Sequence, residues 1–462
     1  MNSTSPGGTW GRLLDRADAV APGAIVALCL LLTWVSQISL RLKGAARIPI
    51  YLIAAAVLSV AVIAVFRSRW WRSRPVQCWL AWWVAWAGVT ALAWTSIPEQ
   101  ARPSASAEVT MMAACAALSG ASILLGRGSR RGVLGYRWAW AAVLMTTAPV
   151  AIREVVANEH IIVTKWVVWY FHAHVPAGPF ANPNNYGCVL VAVTGVLLAW
   201  SLDQRRRSMV ALLLVGAAGA TWLTWRTESR GAFAAIAVQV LITAVGAAAR
   251  WGWWRAVARS PRARRTAIAA GAAFSALAVA MFAVPALAAH NPLLRSPKAQ
   301  ATVQSDGLRW SLVEAGLRYW REHPLWGTGP GTFEYELGRE RPAGVPDPTI
   351  NAHNAFVEIL SQYGLVVAVP LAVLLAVLLW RVVRPQRRLS GEVLRRAERH
   401  AQDSQLIAYR VEIAVLCVAF VITAIVVSTA LALPMWFLML AHMVTTAWAM
   451  DEPVELTGRE RE

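Results

Sequence analysis

Three side chains, far apart in the sequence, could do chemistry together. His353 stands between two amides in "NAHNAFVEIL" (351–360), Arg309 lies in "GLRWSLVEAGLRYWREHP" (307–324), and Arg230 closes "TESR" (227–230). An imidazole takes up or releases a proton near neutral pH. A guanidinium holds an oxyanion through a planar fork of N–H donors. One histidine with two arginines therefore suits a reaction that removes a proton at one atom while negative charge collects at another. Asn182 and Asn184 in "GPFANPNNYG" (178–187), together with Asn354 and Glu358, supply further polar groups that would support such a site. The five cysteines show no ligand spacing. "FHAH" (171–174) has no Cys or carboxylate beside it at metal-ligand spacing, so the expectation is no metal and no cofactor.

The elements that must carry these residues are membrane helices. The chain has 462 residues, 57% hydrophobic and only 15% charged, too little polar surface for a soluble protein of that length. Its net charge of +19 is broken into short basic clusters between apolar runs. That pattern marks membrane topology and argues against nucleic acid. Windows of about 19 residues place spans near 21–40, 48–66, 77–95, 109–126, 137–152, 184–201, 209–225, 230–248, 266–288, 353–381, 408–428 and 431–449. The expected fold is an all-α integral membrane protein of about 12 transmembrane helices with one large extracytoplasmic loop. The first apolar stretch reads as an anchor rather than a removable signal peptide. "IIVTKWVVWYF" (161–171) reads as a re-entrant or interfacial segment.

Basic residues concentrate in alternate loops, such as "RSRWWRSR" (67–74) and "RPQRRLSGEVLRRAER" (384–399). The excess puts those loops and both termini in the cytoplasm. The expected organisation is a cytoplasmic N-terminus (1–20), nine spans (21–288), an extracytoplasmic loop (289–352), three spans (353–449) and a cytoplasmic tail (450–462). The long loop balances seven Arg/Lys against seven Asp/Glu, which suits a site built on a membrane scaffold.

Within the loop, 307–324 has helical period, with Trp310, Val313, Leu317 and Trp320 on one face and Leu308, Leu312, Ala315 and Tyr319 on another. Two apolar strips suggest a helix wedged against the bundle. "GTGPGTF" (327–333) lacks the preceding strand and following GK[ST] of a phosphate loop, and reads as a tight turn. Asn351 is the expected N-cap of the next helix, with His353 in its first turn and a kink near Pro370. Taken singly, an interfacial Arg also serves by snorkelling, and a lone His as a hydrogen-bonding residue.

The combination of "SRGA", "LRWSLVEAGLRYWREHPLWGTGPGTF" and "NAHNAFVEILSQYGL" resembles the O-antigen ligase and polymerase superfamily. "GPFANPNNYG" is similar to the family's stretch between its middle spans. The resemblance implies a GT-C-like, metal-independent, inverting glycosyltransferase in the cell (plasma) membrane. Such an enzyme moves a glycan from a polyprenyl (undecaprenyl) diphosphate carrier to an acceptor hydroxyl on the outer face. Arg230 and Arg309 match the family's diphosphate-holding arginines, and His353 matches its proposed catalytic base. The partners implied are the lipid-linked donor, membrane lipid and an acceptor whose identity the sequence does not carry. Alternative readings are a repeat-unit polymerase of the same superfamily, or a membrane transporter of small solutes.

The orientation is tested by cysteine labelling of intact cells. A probe at Gly344→Cys is expected to react with an impermeant reagent, and one at Ser390→Cys only after permeabilisation; the reverse pattern would invert the topology.

Overall fold

The structure is a computed structural model and describes residues 21–34, 72–160, 174–180, 182–251, 265, 298–340, 351–384, 396–427 and 430–451. Every regular element among them is helical: α1 (Ala21–Trp34), α2 (Arg74–Ala93), α3 (Arg102–Gly126), α4 (Arg130–Ala157), α5 (Pro183–Ser201), α6 (Arg207–Arg226), α7 (Arg230–Arg250), α8 (Lys298–Glu322), α9 (Phe333–Arg339), α10 (Ala355–Val383), α11 (Arg396–Val426) and α12 (Pro434–Ala449). Among the described residues eight helices are long and apolar enough to cross a membrane. Ten of the twelve expected spans fall on helices; the spans at 48–66 and 266–288, and the segment 161–171, lie outside the described residues.

Long apolar helices bury their polar backbone by themselves, so side-chain packing decides how they assemble. α5 and α12 are buried along almost their whole length. α11 packs against α5, α7, α10 and α12, and α10 against α2. The core is aromatic where these meet: Trp436 stacks on Phe420 at 4.3 Å between centroids, and Trp82 and Trp83 lie against Phe437. The helices α5, α7, α10 and α12 begin at one end of the bundle, called the upper end. There Gly231 opens α7 against Val426 at the end of α11, and Phe356 in the first turn of α10 meets Phe420.

Near the opposite end an ion cluster crosses the interior. Arg137 of α4 donates to Glu412 of α11 at 2.9–3.2 Å and to Asp203 at 2.7 Å. His442 of α12 stands 3.1 Å from Glu412, and its Nδ1 accepts from Trp140 at 3.2 Å. The indole nitrogen only donates, so in the neutral imidazole the proton sits on Nε2, facing the carboxylate. A buried pair of this kind adds little net stability, but losing one partner strands a charge in apolar surroundings. It therefore registers α4, α11 and α12 against one another.

The break in α10 falls at Gly364 (φ +63, ψ −166) and not at Pro370, which lies inside the continuing helix. Such a backbone is open almost exclusively to glycine. The peptide groups freed by the break are taken up by residues 324–329. Thr328 N and Gly329 N donate to the carbonyls of Ser361 and Gln362 at 2.9 Å, and Leu365 N and Val366 N donate to Pro324 and Leu325 at 3.0 and 3.2 Å. A Cβ on Gly364 would lie 2.3 Å from the Leu325 oxygen, and one on Gly327 (φ +68) would lie 2.3 Å from the Gln362 carbonyl carbon. The glycine-rich turn is thus a backbone patch on a broken helix. Gly364→Ala is expected to cost at least about 2 kcal/mol, from the forbidden backbone and the collision together, seen as a lower thermal midpoint in detergent, while Gly338→Ala, which meets nothing within 4 Å, stays near the parent.

Candidate functional site at the upper end of the bundle

The turn carrying His353 is built by four short-range hydrogen bonds. Asn351 Oδ1 accepts from His353 N at 3.3 Å. Asn354 Oδ1 accepts from Phe356 N at 3.1 Å and Val357 N at 3.3 Å. Glu358 Oε1 reaches back to accept from Ala352 N at 2.9 Å. Asn354, not Asn351, is therefore the N-cap of α10. His353 precedes the cap instead of lying in the first turn, because the Asn351 side chain is spent on closing the turn before it.

His353 adopts φ +53, a left-handed backbone that an L residue with a bulky side chain rarely takes. Its side chain is half-buried, and its Nδ1 is enclosed with no hydrogen-bond partner among the described residues. Burial, joined by the nearby Arg309 guanidinium, pushes the imidazole down to about 4. The ring is therefore neutral across the physiological range and has a basic nitrogen available. The sequence suggests a low value from the helix N-terminus; the dominant cause is desolvation.

Arg309 comes from α8, which lies on the upper end of the bundle against the first turns of α10. A Cβ on Gly316 of α8 would fall 2.4 Å from Val357 and 3.3 Å from Phe333. Only one of the two apolar strips on α8 is buried: Leu312, Ala315 and Tyr319 are covered, whereas Trp310 is 65% exposed. The helix is held against the bundle, as expected, but by one strip alone. Arg309 also lies within electrostatic reach of Cys188 in α5, so its guanidinium sits between the start of α5 and the His353 turn.

Arg230 is the first residue of α7 and half-buried. The first turns of α5 and α7 touch, with Gly187 closed in by Thr227, Ser229 and Ala232 at 3.0–3.3 Å from where a Cβ would be. Arg230 therefore joins the same end through α5 and α11. Asn182 is the N-cap of α5, its Oδ1 accepting from Asn184 N at 2.8 Å. That turn is braced by Glu154, which accepts from Ala177 N and Gly178 N at 2.8 Å each. The described histidine of "FHAH", His174, closes the end of α4: its N donates to Asn158 at 2.9 Å and its Nδ1 lies 2.7 Å from the Val155 carbonyl.

Sequence reasoning misses Glu108 of α3, half-buried, whose Oε1 accepts from Tyr363 Oη at 2.5 Å. It also misses Ser229 and Asn185, whose Oγ and Oδ1 are buried without partners among the described residues. Nothing in the spacing of these residues distinguishes them from ordinary helix polar groups.

A multi-pass helical membrane protein with two arginines and an imidazole brought to one end is the class that fold and site define. Residues 220–372 match the family model for O-antigen ligase. The matched region holds Arg230, Arg309, the Gly364 break and His353. None of the curated proteins matches the chain.

The pH dependence of turnover follows from the imidazole. Were His353 to act as a base, its neutral form would take the proton, and kcat/KM would rise with pH through about 4 and be level from about pH 6 upward. Arg309→Gln removes a repelling charge, so its acid limb should move to higher pH. A wild-type midpoint at the free imidazole value of about 6.5 would place His353 in open solvent instead.

Proposed function

We propose that this protein moves a glycan from a polyprenyl (undecaprenyl) diphosphate carrier to an acceptor hydroxyl, at the extracytoplasmic face of the plasma membrane, with inversion and without a metal ion. The match to the O-antigen ligase family model supports a membrane glycosyltransferase of ligase or polymerase type. The observation that carries the finer reading is the pairing of an enclosed, neutral imidazole with a guanidinium close enough to depress its basicity. In this reading both termini are cytoplasmic, and the 289–352 segment lies outside, bringing Arg309 to the start of the 353–449 spans.

The acceptor oxygen attacks the anomeric carbon from the face opposite the carrier. As that bond forms, the bond from the anomeric carbon to the diphosphate oxygen breaks, and the electron pair leaves with the polyprenyl diphosphate. Arg230 and Arg309 hold the charge that collects there, so the leaving group needs no proton. His353 takes the hydroxyl proton. Its low basicity in the free protein has a consequence: a bound diphosphate neutralises the Arg309 field and raises the proton affinity of the ring. The base is then strongest when the donor is in place, which favours transfer over idle proton uptake.

A repeat-unit polymerase would use the same three residues with a second lipid-linked glycan as acceptor. Transport requires polar groups open to a pathway at mid-depth. The ionisable interior groups Arg137, Glu412 and His442 lie toward the lower end and engage one another.

The test is transfer by the full-length protein in liposomes, with lipid-linked glycan and an acceptor fraction extracted from the source cells' envelopes. His353→Ala and His353→Gln are each expected to lose about 10²–10⁴ in rate while still binding donor. Arg230→Lys and Arg309→Lys are expected to lose at least about tenfold, since an ammonium lacks the fork. Arg339→Lys, whose exposed side chain pairs with Glu336, should stay near wild type. A folded Gln variant with normal turnover would end the base assignment.

A further inference from the structure

The break at Gly364 isolates the upper piece of α10. Residues Ala355–Tyr363 form a short helical segment that is not continuous with the rest of the helix, and the candidate base stands on its top. What holds this piece decides where the imidazole is. At its upper end, Glu358, 5% exposed, accepts from Ala352 N at 2.9 Å and so pins the residue immediately before His353. At its lower end, Glu108 of α3 accepts from the fully buried Tyr363 hydroxyl at 2.5 Å. Glu108 also takes hydrogen bonds from the Gln362 side chain and from the Gly331 backbone of the glycine-rich turn. One carboxyl group thus fixes the segment to the His353 turn, and the other fixes it to α3 and to the patch. The two lie within electrostatic reach of each other.

We propose that Glu358 and Glu108 form a two-carboxylate brace that sets the position of His353, making both of them positioning residues for glycan transfer. Neither touches the reacting atoms. The assignment rests on the transfer reading above and adds to it residues from a helix nearly 250 positions upstream (about 245 by the numbering). A left-handed turn is costly for histidine, and it persists only if its surroundings over-determine it. Loss of the Ala352 bond lets the turn relax and moves the imidazole by a fraction of an ångström to an ångström, a displacement able to cost up to about a hundredfold in rate.

The experiment uses the same liposome assay and separates kcat from donor KM. Glu358→Ala is expected to lower kcat about 10- to 100-fold with KM for the lipid-linked glycan within about threefold of wild type. Glu358→Gln keeps an oxygen that accepts from Ala352 N, so it should recover to within about threefold of the parent. Tyr363→Phe, which removes only the hydroxyl that Glu108 holds, should lower kcat in the same direction at unchanged KM, and it decides the matter should Glu358→Ala not insert. Normal kcat in Glu358→Ala or Tyr363→Phe, or a Gln variant as poor as the Ala variant, overturns the brace. His353→Ala in parallel reports on the transfer reading: full turnover there removes that reading and the brace with it, whereas a dead His353→Ala beside a normal Glu358→Ala removes the brace alone.

Discussion

The upper half of this molecule depends on one backbone event, the interruption of α10 at Gly364. Peptide groups cannot be left bare in a hydrocarbon environment, where each costs several kcal/mol. A break is tolerable only if another piece of backbone reaches it. Residues 324–329 do so with four hydrogen bonds, and they lie at the end of α8. The position of α8, and with it Arg309, is therefore coupled to the same break that frees the short helical piece beneath His353. Gly327 of "GTGPG" follows from this requirement, since it comes within bonding distance of the α10 backbone, whereas Gly331 lies against the Ser104–Ala105 backbone of α3.

Buried polar groups occur at both ends of the bundle, in different company. Toward the lower end, Arg137, Asp203, Glu412, His442 and Trp140 engage one another. Such a cluster registers helices but leaves little bonding capacity for a ligand. At the upper end His353 Nδ1, Ser229 Oγ and Asn185 Oδ1 are enclosed without partners among the described residues. Unpaired groups of this kind weaken a fold and persist where something else uses them. Low dielectric makes each interaction there stronger, which is how a half-buried Arg309 acts on the imidazole.

A donor carrying two phosphates would change that balance. It would pair with the guanidinium groups, relieve the repulsion on His353 and supply partners to atoms that now lack them. The geometry is consistent with a site whose electrostatics are completed by its substrate, and the rigid piece of α10 would keep the imidazole from drifting when the field changes.

Composition and periodicity by themselves determined the membrane class and ten of the helices now described, because apolar run length and local charge are one-dimensional properties; the roles proposed for Arg230, Arg309 and His353 come from the family resemblance. Composition also located the turn at 327–333, though not its purpose. Only the tertiary structure decided that Asn354 rather than Asn351 caps α10, since both amides have the right type and the choice rests on which turn each closes. It moved the break from Pro370 to Gly364, because a proline within a long helix is accommodated where neighbours pack, whereas Gly364 takes a backbone that no local signal distinguishes from an ordinary helical glycine. It buried one strip of α8 and left Trp310 outside, a choice made by where α10 lies. Glu108 and Tyr363, and Arg137 with Glu412 and His442, meet across roughly 250 or more residues of chain (about 255 and 275 for the first two pairs). Such partnerships are fixed by helix packing, and spacing in the sequence carries no trace of them.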